Sequence, residues 1–256
     1  MKKFMLDLIV TKNETLNSQY FLLKLTSPET LPEMLPGQFV EVLVENAADV
    51  FLRRPISINY VDRTTNELWL LIQIVGAGTQ KLASLQVNDK LNLIFPLGNS
   101  FTLPKNKEQK ILLVGGGVGI APLLFWGSVL HSQGYDCNFL LGGRSKENLL
   151  QLCEFEGFGK VYTTTEDGSH GEKGFVTQHS LFKSRNFDVF YSCGPTPMMK
   201  AVAAYAASND VFCEVSLENT MACGFGACLC CVTDTTEGHL CVCTDGPVFN
   251  ITKLKW

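Results

Sequence analysis

No stretch of the 256-residue sequence supplies the roughly 20 consecutive apolar residues that a membrane-crossing helix needs. Met1-Lys2-Lys3 runs into strand-like alternation that includes Asp7, not into the apolar core of a secretory signal. No membrane partner is expected. Neither sign of charge dominates: 21 Lys and Arg stand against 25 Asp and Glu, a formal net charge of −4, which gives no basic surplus for nucleic acid. Histidine is scarce. His131, His170, His179 and His239 show no metal-ligand spacing and read as surface or capping residues. The sequence also lacks a recognisable nucleophile–base pair, an internal repeat and any low-complexity tract. These absences point away from acid–base chemistry by the chain's own side chains and toward bound cofactors that carry the reaction.

Cysteine is what the sequence has in excess. There are ten, and six fall between Met221 and Phe249. Cys223, Cys228 and Cys231 are spaced C-x4-C-x2-C, the opening of the plant-type [2Fe–2S] pattern. Gly224 and Gly226 give the loop the backbone freedom to pass close to such a cluster. A fourth ligand must come from Cys241 or Cys243. Cys243 is preferred because Asp245-Gly246-Pro247 turns the chain directly after it. Cys230 and Cys241 read as packing residues, each an alternative ligand. Structural zinc usually takes two C-x2-C-like pairs, and disulfide frameworks belong to small secreted domains. Reduced thiols and the missing secretory signal both point to the cytoplasm as the expected compartment.

The chain divides into three parts. Residues 1–104 carry short apolar runs at 4–10, 20–25, 38–44, 55–60, 68–75 and 90–95, separated by turn signals such as Pro36-Gly37 and Asn88-Asp89. This pattern predicts a small antiparallel β-barrel, with one short helix near Thr79. Residues 105–215 begin at a polar linker, Lys105-Asn106-Lys107-Glu108, and then alternate strand and helix. Strands are predicted at 110–114, 138–141, 160–164, 188–191 and 211–215. Helices are predicted at 122–131, 147–155, about 176–182 and 197–207. Such alternation predicts a doubly wound α/β domain. Residues 216–256 form a C-terminal cysteine-rich cap, making the whole an α+β multidomain protein.

Four short motifs suggest nucleotide sites. Arg54-Pro55-Ile56-Ser57 offers a guanidinium fork for a pyrophosphate and a hydroxyl and backbone for a flavin ring, or else a plain edge strand. Gly76-Ala77-Gly78-Thr79 stands at a strand–helix join, as an anion site or as a tight turn with Thr79 as an N-cap. Gly115-Gly116-Gly117-Val118-Gly119 follows a buried strand, where nucleotides approach the backbone. It departs from strict G-x-G-x-x-G, and the acidic ribose ligand expected after the next strand is replaced by Gly142-Gly143-Arg144. Cys193-Gly194-Pro195-Thr196-Pro197-Met198 ends a later strand, as a slot for a nicotinamide or as a buried thiol before a helix.

The order of the four motifs resembles the ferredoxin-reductase family of flavoproteins. The segment from Ser216 to Cys228, with Cys243-Thr244-Asp245-Gly246-Pro247-Val248-Phe249, is similar to the electron-transfer subunits of two-subunit, NAD-dependent dihydroorotate dehydrogenases, over essentially the whole chain. That resemblance implies FAD at Arg54, Pro55, Ile56, Ser57, Leu71, Ile72, Gln73, Gly78 and Thr79, although Gln73 stands where the family often has a basic residue. It implies a [2Fe–2S] cluster on Cys223, Cys228, Cys231 and Cys243. Less specifically, it implies NAD at Gly116, Gly117, Gly119, Arg144, Cys193, Gly194 and Pro195. An FMN-containing catalytic subunit would be the partner, in a heterotetramer of two copies of each. Two rivals remain: a small subunit of a ferredoxin–NADP reductase or sulfide dehydrogenase, for which Arg144 keeps NADP open, and a zinc-binding nucleotide sensor.

Overall fold

The structure is a computed structural model that describes residues 2–45, 47, 49–184 and 186–255. Its first sheet contains β1 (Phe4–Thr15), β2 (Tyr20–Thr26), β3 (Phe39–Val42), β4 (Arg54–Ser57), β5 (Tyr60–Asp62), β6 (Glu67–Gln73) and, after helix α1 (Ala77–Ala83), β7 (Lys90–Leu97). The order is β4-β3-β7-β1-β2-β6-β5, and every pairing is antiparallel. Only Ile58 and Asn59 separate β4 from β5. Their amides donate to Gln38 O and Trp69 O, both at 3.0 Å. One segment thus crosses from β3 to β6 and draws the two edges of the sheet together, as the barrel prediction requires. Leu8, Val10, Leu23, Val40, Leu70 and Leu93 fill the interior and are fully buried. On β2, Phe21 and Leu23 face inward, while Tyr20 and Leu22 face the second domain. A strand buried on both faces reads as a continuous apolar run, and Tyr20–Leu23 is one.

The second sheet follows from strand–helix alternation. It comprises β8 (Ile111–Gly116), α2 (Ala121–Ser132), β9 (Cys137–Gly143), α3 (Leu152–Glu156), β10 (Lys160–Thr165), β11 (Glu172–Lys173), α4 (Leu181–Ser184), β12 (Val189–Cys193), α5 (Thr196–Ser208) and β13 (Phe212–Ser216). In the cap, β14 (Val232–Thr235) and β15 (Gly238–Cys241) pair as a hairpin, and β16 (Val248–Asn250) follows. The order is β11-β10-β9-β8-β12-β13-β16, parallel throughout except for the antiparallel β13–β16 edge. The strand order reverses between β8 and β12. Their carboxyl ends therefore frame the crevice where open α/β sheets bind ligands. Among the described residues no helix is long and apolar enough to cross a membrane.

Two predicted helices break. The run at 147–155 becomes a 3₁₀ turn at Lys146–Asn148 and a short α3, because Gln151 adopts φ of 54°. Its side chain is taken by the other domain: Asn59 Nδ2 donates to Gln151 Oε1 at 3.1 Å, and Gln151 Nε2 donates to Asn59 Oδ1 at 3.0 Å. This reciprocal pair is buried between barrel and α/β domain, where an unpaired amide is expensive. The run at 176–182 likewise divides into a 3₁₀ turn, Val176–Gln178, and the single turn of α4. His179 lies between them, buried, with Nδ1 accepting from Leu181 N at 3.2 Å. It is a capping residue, but not a surface one.

Candidate functional site

Two recesses meet between the domains. The larger, about 650 Å³, opens over the carboxyl ends of β8, β9 and β12. It is lined by Gly116, Gly117, Gly119, Arg144, Gly194 and Pro195, six of the seven residues predicted for a nicotinamide nucleotide. The seventh, Cys193, lies beneath the floor. It is buried, and burial first, then the nearby Glu218 carboxylate, push its thiol far above the ordinary range. Gly119 serves an internal contact: a methyl group there would stand 2.4 Å from Gly194 Cα, so the glycine turn and the β12–α5 turn pack backbone to backbone. Tyr20 reaches this recess from β2, and burial raises its phenol pKa while Arg144 opposes the rise.

The smaller recess, about 260 Å³, lies between barrel, α/β domain and cap. Arg54, Pro55, Ile56, Ser57, Leu71, Ile72, Gln73 and Thr79 all line it. Gly78 sits beside them: a methyl group at Gly78 would come within 2.9 Å of Arg54 Nε. The structure thus unites two motifs separated by some twenty residues of sequence. Arg54 is held from behind, its Nη1 donating to Leu52 O at 2.7 Å. The Thr79 hydroxyl is committed to its own turn. It accepts from Val75 N at 2.9 Å and Gly76 N at 3.2 Å, but from the third position of α1: Gly76 is the N-cap, not Thr79 as the tight-turn alternative had it.

The cap gathers the cysteines in two pairs. Pairing of Val232 with Cys241 across the β14–β15 hairpin returns the chain beside Cys231, and Cys243 N then donates to Cys231 Sγ at 3.4 Å. Burial, and next the Cys231 thiol, push Cys243 up to about 12. Cys223 lies in the preceding loop, where Gly224 and Gly226 take φ of 75° and 89°. Burial opposes its ionisation, but the amides of Phe225, Cys228 and Ala227 aim at the sulfur and hold it down to about 6. Amides directed at a thiolate are the donor chemistry an iron–sulfur cluster wants, so these residues fit such a group. Among the described residues no three His, Cys, Asp or Glu side chains converge as a single metal ion requires. Cys241 packs in the cap core, and its amide donates to Asp245 Oδ2 at 2.7 Å, closing the Asp245-Gly246-Pro247 turn. Cys230 is exposed, so the packing role expected for it is not what the fold provides. The reason is local: it shares an exposed surface loop with Leu229, whose φ is 57°.

Several lining residues were not named as site residues from the sequence. Val118 sits among glycines already singled out. Met221 lines the smaller recess and also belongs to the cap core with Cys231 and Cys243. Glu218 lines both recesses. Glu41, in an otherwise apolar strand, points out of the barrel and lies directly under Gly224. It is fully buried, and among the described residues neither carboxylate oxygen has a hydrogen-bond partner. Burial raises it to about 7; Arg53 opposes the rise, Cys223 adds to it and Arg54 opposes it.

A barrel with a recess under an arginine, a doubly wound domain and a cysteine cap define a ferredoxin-reductase-like oxidoreductase fold. Residues 113–204 match the oxidoreductase NAD-binding domain family, and residues 218–255 match the iron–sulfur cluster binding domain of dihydroorotate dehydrogenase B. The chain is 41% identical over 221 residues to the dihydroorotate dehydrogenase B (NAD(+)) electron transfer subunit of Shouchella clausii, covering 84% of this chain and 85% of that one. It is 38% identical over 250 residues to the same subunit from Fusobacterium nucleatum, covering 95% of each. The chain belongs to this family of electron transfer subunits. Among solved structures, one of an NADH-dependent reduced ferredoxin-NADP oxidoreductase superposes with a TM-score of 0.87 at 30% identity, covering 97% of this chain and 90% of that chain. The ferredoxin reductase of carbazole 1,9a-dioxygenase shares the fold, with a TM-score of 0.71 at 20% identity, covering 82% and 67%.

Proposed function

We propose that the chain is the electron-transfer subunit of an NAD-dependent dihydroorotate dehydrogenase. It carries electrons from the FMN of a catalytic partner, through a [2Fe–2S] cluster and FAD, to NAD⁺ in pyrimidine synthesis. One observation carries this reading: the three sites share walls. Gln73, Val118 and Glu218 belong to both recesses, and Met221 belongs to both the smaller recess and the cap core. A bound FAD converts between two-electron hydride exchange and one-electron traffic with an iron–sulfur cluster.

In this reading Arg54 and the Gly78 turn hold the FAD phosphates. Pro55, Ile56, Ser57, Leu71, Ile72, Gln73 and Thr79 hold the ring system. The recess of about 260 Å³ is smaller than closed ligand pockets of about 300–1,000 Å³, so it suits a flat ring with the remainder of the cofactor running outside. Gly116, Gly117, Gly119, Arg144, Gly194 and Pro195 receive NAD⁺, with Cys193 supporting the floor. Cys223, Cys228, Cys231 and Cys243 ligate the cluster. The working units are 1–104 for FAD, 105–215 for NAD⁺ and 216–256 for the cluster. Phe225 and Leu229, 45% and 63% exposed beside the exposed Cys228, suit a docking face for the FMN-containing partner, in a heterotetramer of two copies of each. Reduced thiols fit work in the cytoplasm.

The test is to purify the chain alone, confirm flavin and iron by absorbance, and assay both half-reactions. NADH should bleach the flavin, more effectively than NADPH, while dihydroorotate should be oxidised only after the partner is added. Dihydroorotate oxidation by the isolated chain, or a flavin that NADH leaves unbleached, overturns the reading.

A further inference from the structure

Among the described residues three line both recesses, and of these Glu218 alone is ionisable. It stands on the strap between β13 and the first cap cysteine. The strap is fixed on either side of it: Leu217 N donates to Pro247 O at 2.8 Å, and Asn219 Nδ2 donates to Val232 O at 3.4 Å. Among the described residues none hydrogen-bonds its carboxylate, so the group has no structural duty. Crowding by protein raises its pKa, yet the residue is exposed. It lines both recesses, within reach of both their ligands and solvent.

Other titratable or charged groups of the two recesses are less suited to exchange protons. Burial moves the Tyr20 phenol and the Cys193 thiol further above neutrality. The guanidiniums of Arg54 and Arg144 are donors with no acceptor. Glu166 lines only the larger recess.

Resting on the function proposed above, we infer that Glu218 is the proton relay of the flavin site. Hydride exchange needs no relay: NADH and FAD give NAD⁺ and the anionic dihydroflavin, the proton travelling inside the hydride. Loss of two electrons from the dihydroflavin, one at a time, to one-electron acceptors such as the cluster leaves one proton behind. The Glu218 carboxylate accepts that proton and passes it to solvent through the open mouth of the recess. In the direction of NAD⁺ reduction, two electrons arrive singly and protonated Glu218 supplies the matching proton.

The two half-reactions separate the relay from other roles. Full-length holoprotein, wild type and Glu218→Gln, is mixed with NADH and then with excess ferricyanide, a one-electron acceptor, in a stopped-flow instrument. Bleaching by NADH should stay within about threefold of wild type. Re-oxidation should slow by about 10²-fold, the scale of general acid–base assistance, and Glu218→Asp should restore part of it. Infrared difference spectra between dithionite-reduced and oxidised protein should contain a protonated-carboxyl band that Glu218→Gln abolishes. Slower bleaching with normal re-oxidation would make Glu218 a nicotinamide-positioning residue and overturn the relay. Unchanged rates in both steps, or an infrared band that survives in Glu218→Gln, overturn it as well. Should Glu218→Gln lose flavin, Glu218→Asp carries the test: normal re-oxidation without a carboxyl band also overturns it. Failure of NADH to bleach the wild-type flavin would count against the proposed function instead.

Discussion

Replacing Glu41 by Gln should make the protein more stable, and increasingly so as pH rises. The carboxyl is fully buried, unpartnered and raised from an ordinary value of 4.5 to about 7. The folded chain therefore binds this proton more tightly than the unfolded chain, and stability falls as pH climbs through that window. At about 1.4 kcal/mol per tenfold of proton affinity, full ionisation of Glu41 costs the fold about 3 kcal/mol. A protonated carboxyl and an amide differ little in shape or desolvation, so the two proteins should converge in acid. Between about pH 5.5 and pH 8.5 the gap should widen by about 2 kcal/mol, which is on the order of 5 °C in a chain of this size. Arg53 keeps its own partners in the variant, donating to Asn92 Oδ1 at 2.5 Å and Glu41 O at 3.1 Å. The assay is thermal unfolding of both proteins at matched cofactor content across that range. Parallel pH profiles would refute the argument, and a variant less stable in alkali would mean that the Glu41 carboxylate is held by a favourable charge contact.

Three further outcomes are expected. Cys223→Ala, Cys228→Ala, Cys231→Ala and Cys243→Ala should each purify with little iron or sulfide, whereas Cys230→Ala keeps its cluster and Cys241→Ala keeps it at some loss of stability; normal iron in Cys243→Ala would return the fourth position to Cys241. Arg54→Ala removes a charge-assisted contact of about 1.5–3 kcal/mol, so flavin titration should show about a ten- to hundredfold weaker affinity. Asn59→Ala leaves the Gln151 amide unpaired between the domains, costing about 1–3 kcal/mol in denaturant unfolding; adding Gln151→Ala should cost less than the sum of the single changes, and strict additivity would show the pair to be uncoupled.

The parts of the molecule legible in the sequence are those where chemistry or period constrains spacing. The proposed ligation would tie Cys223, Cys228 and Cys231 to a short interval, and burial ties the strands to alternating or continuous apolar runs. What stayed hidden depends on contacts between distant segments. Asn59 and Gln151 are ordinary polar residues until the domains close on them, and only then does Gln151 break its predicted helix. Cys230 was expected to pack, but it lies exposed in the surface loop it shares with Leu229. Glu218 lies in the Ser216–Cys228 segment that carries the resemblance, but no site role was assigned to it; two cavities meet at its side chain. Glu41 did leave a trace, a lone carboxylate in Phe39-Val40-Glu41-Val42-Leu43-Val44. Alternation alone does not say that a cap covers the outer face of that strand.

The antiparallel pairing of β16 with β13 bears on how this architecture can be rebuilt. Val215 and Ser216 pair with Phe249 and Val248, so the final strand of the cysteine segment is also the edge strand of the nucleotide-binding sheet. A tethered module could be cut away or exchanged at its linker; this one is sewn into its neighbour. Deleting it would uncover the N–H and C=O groups of β13 as a sticky border for other chains. Grafting a different metal-bearing segment onto the same scaffold would succeed only if the graft brought a replacement strand in register. The same seam ties the cap to the sheet by backbone hydrogen bonds, so the proposed cluster site and the nucleotide domain share one sheet.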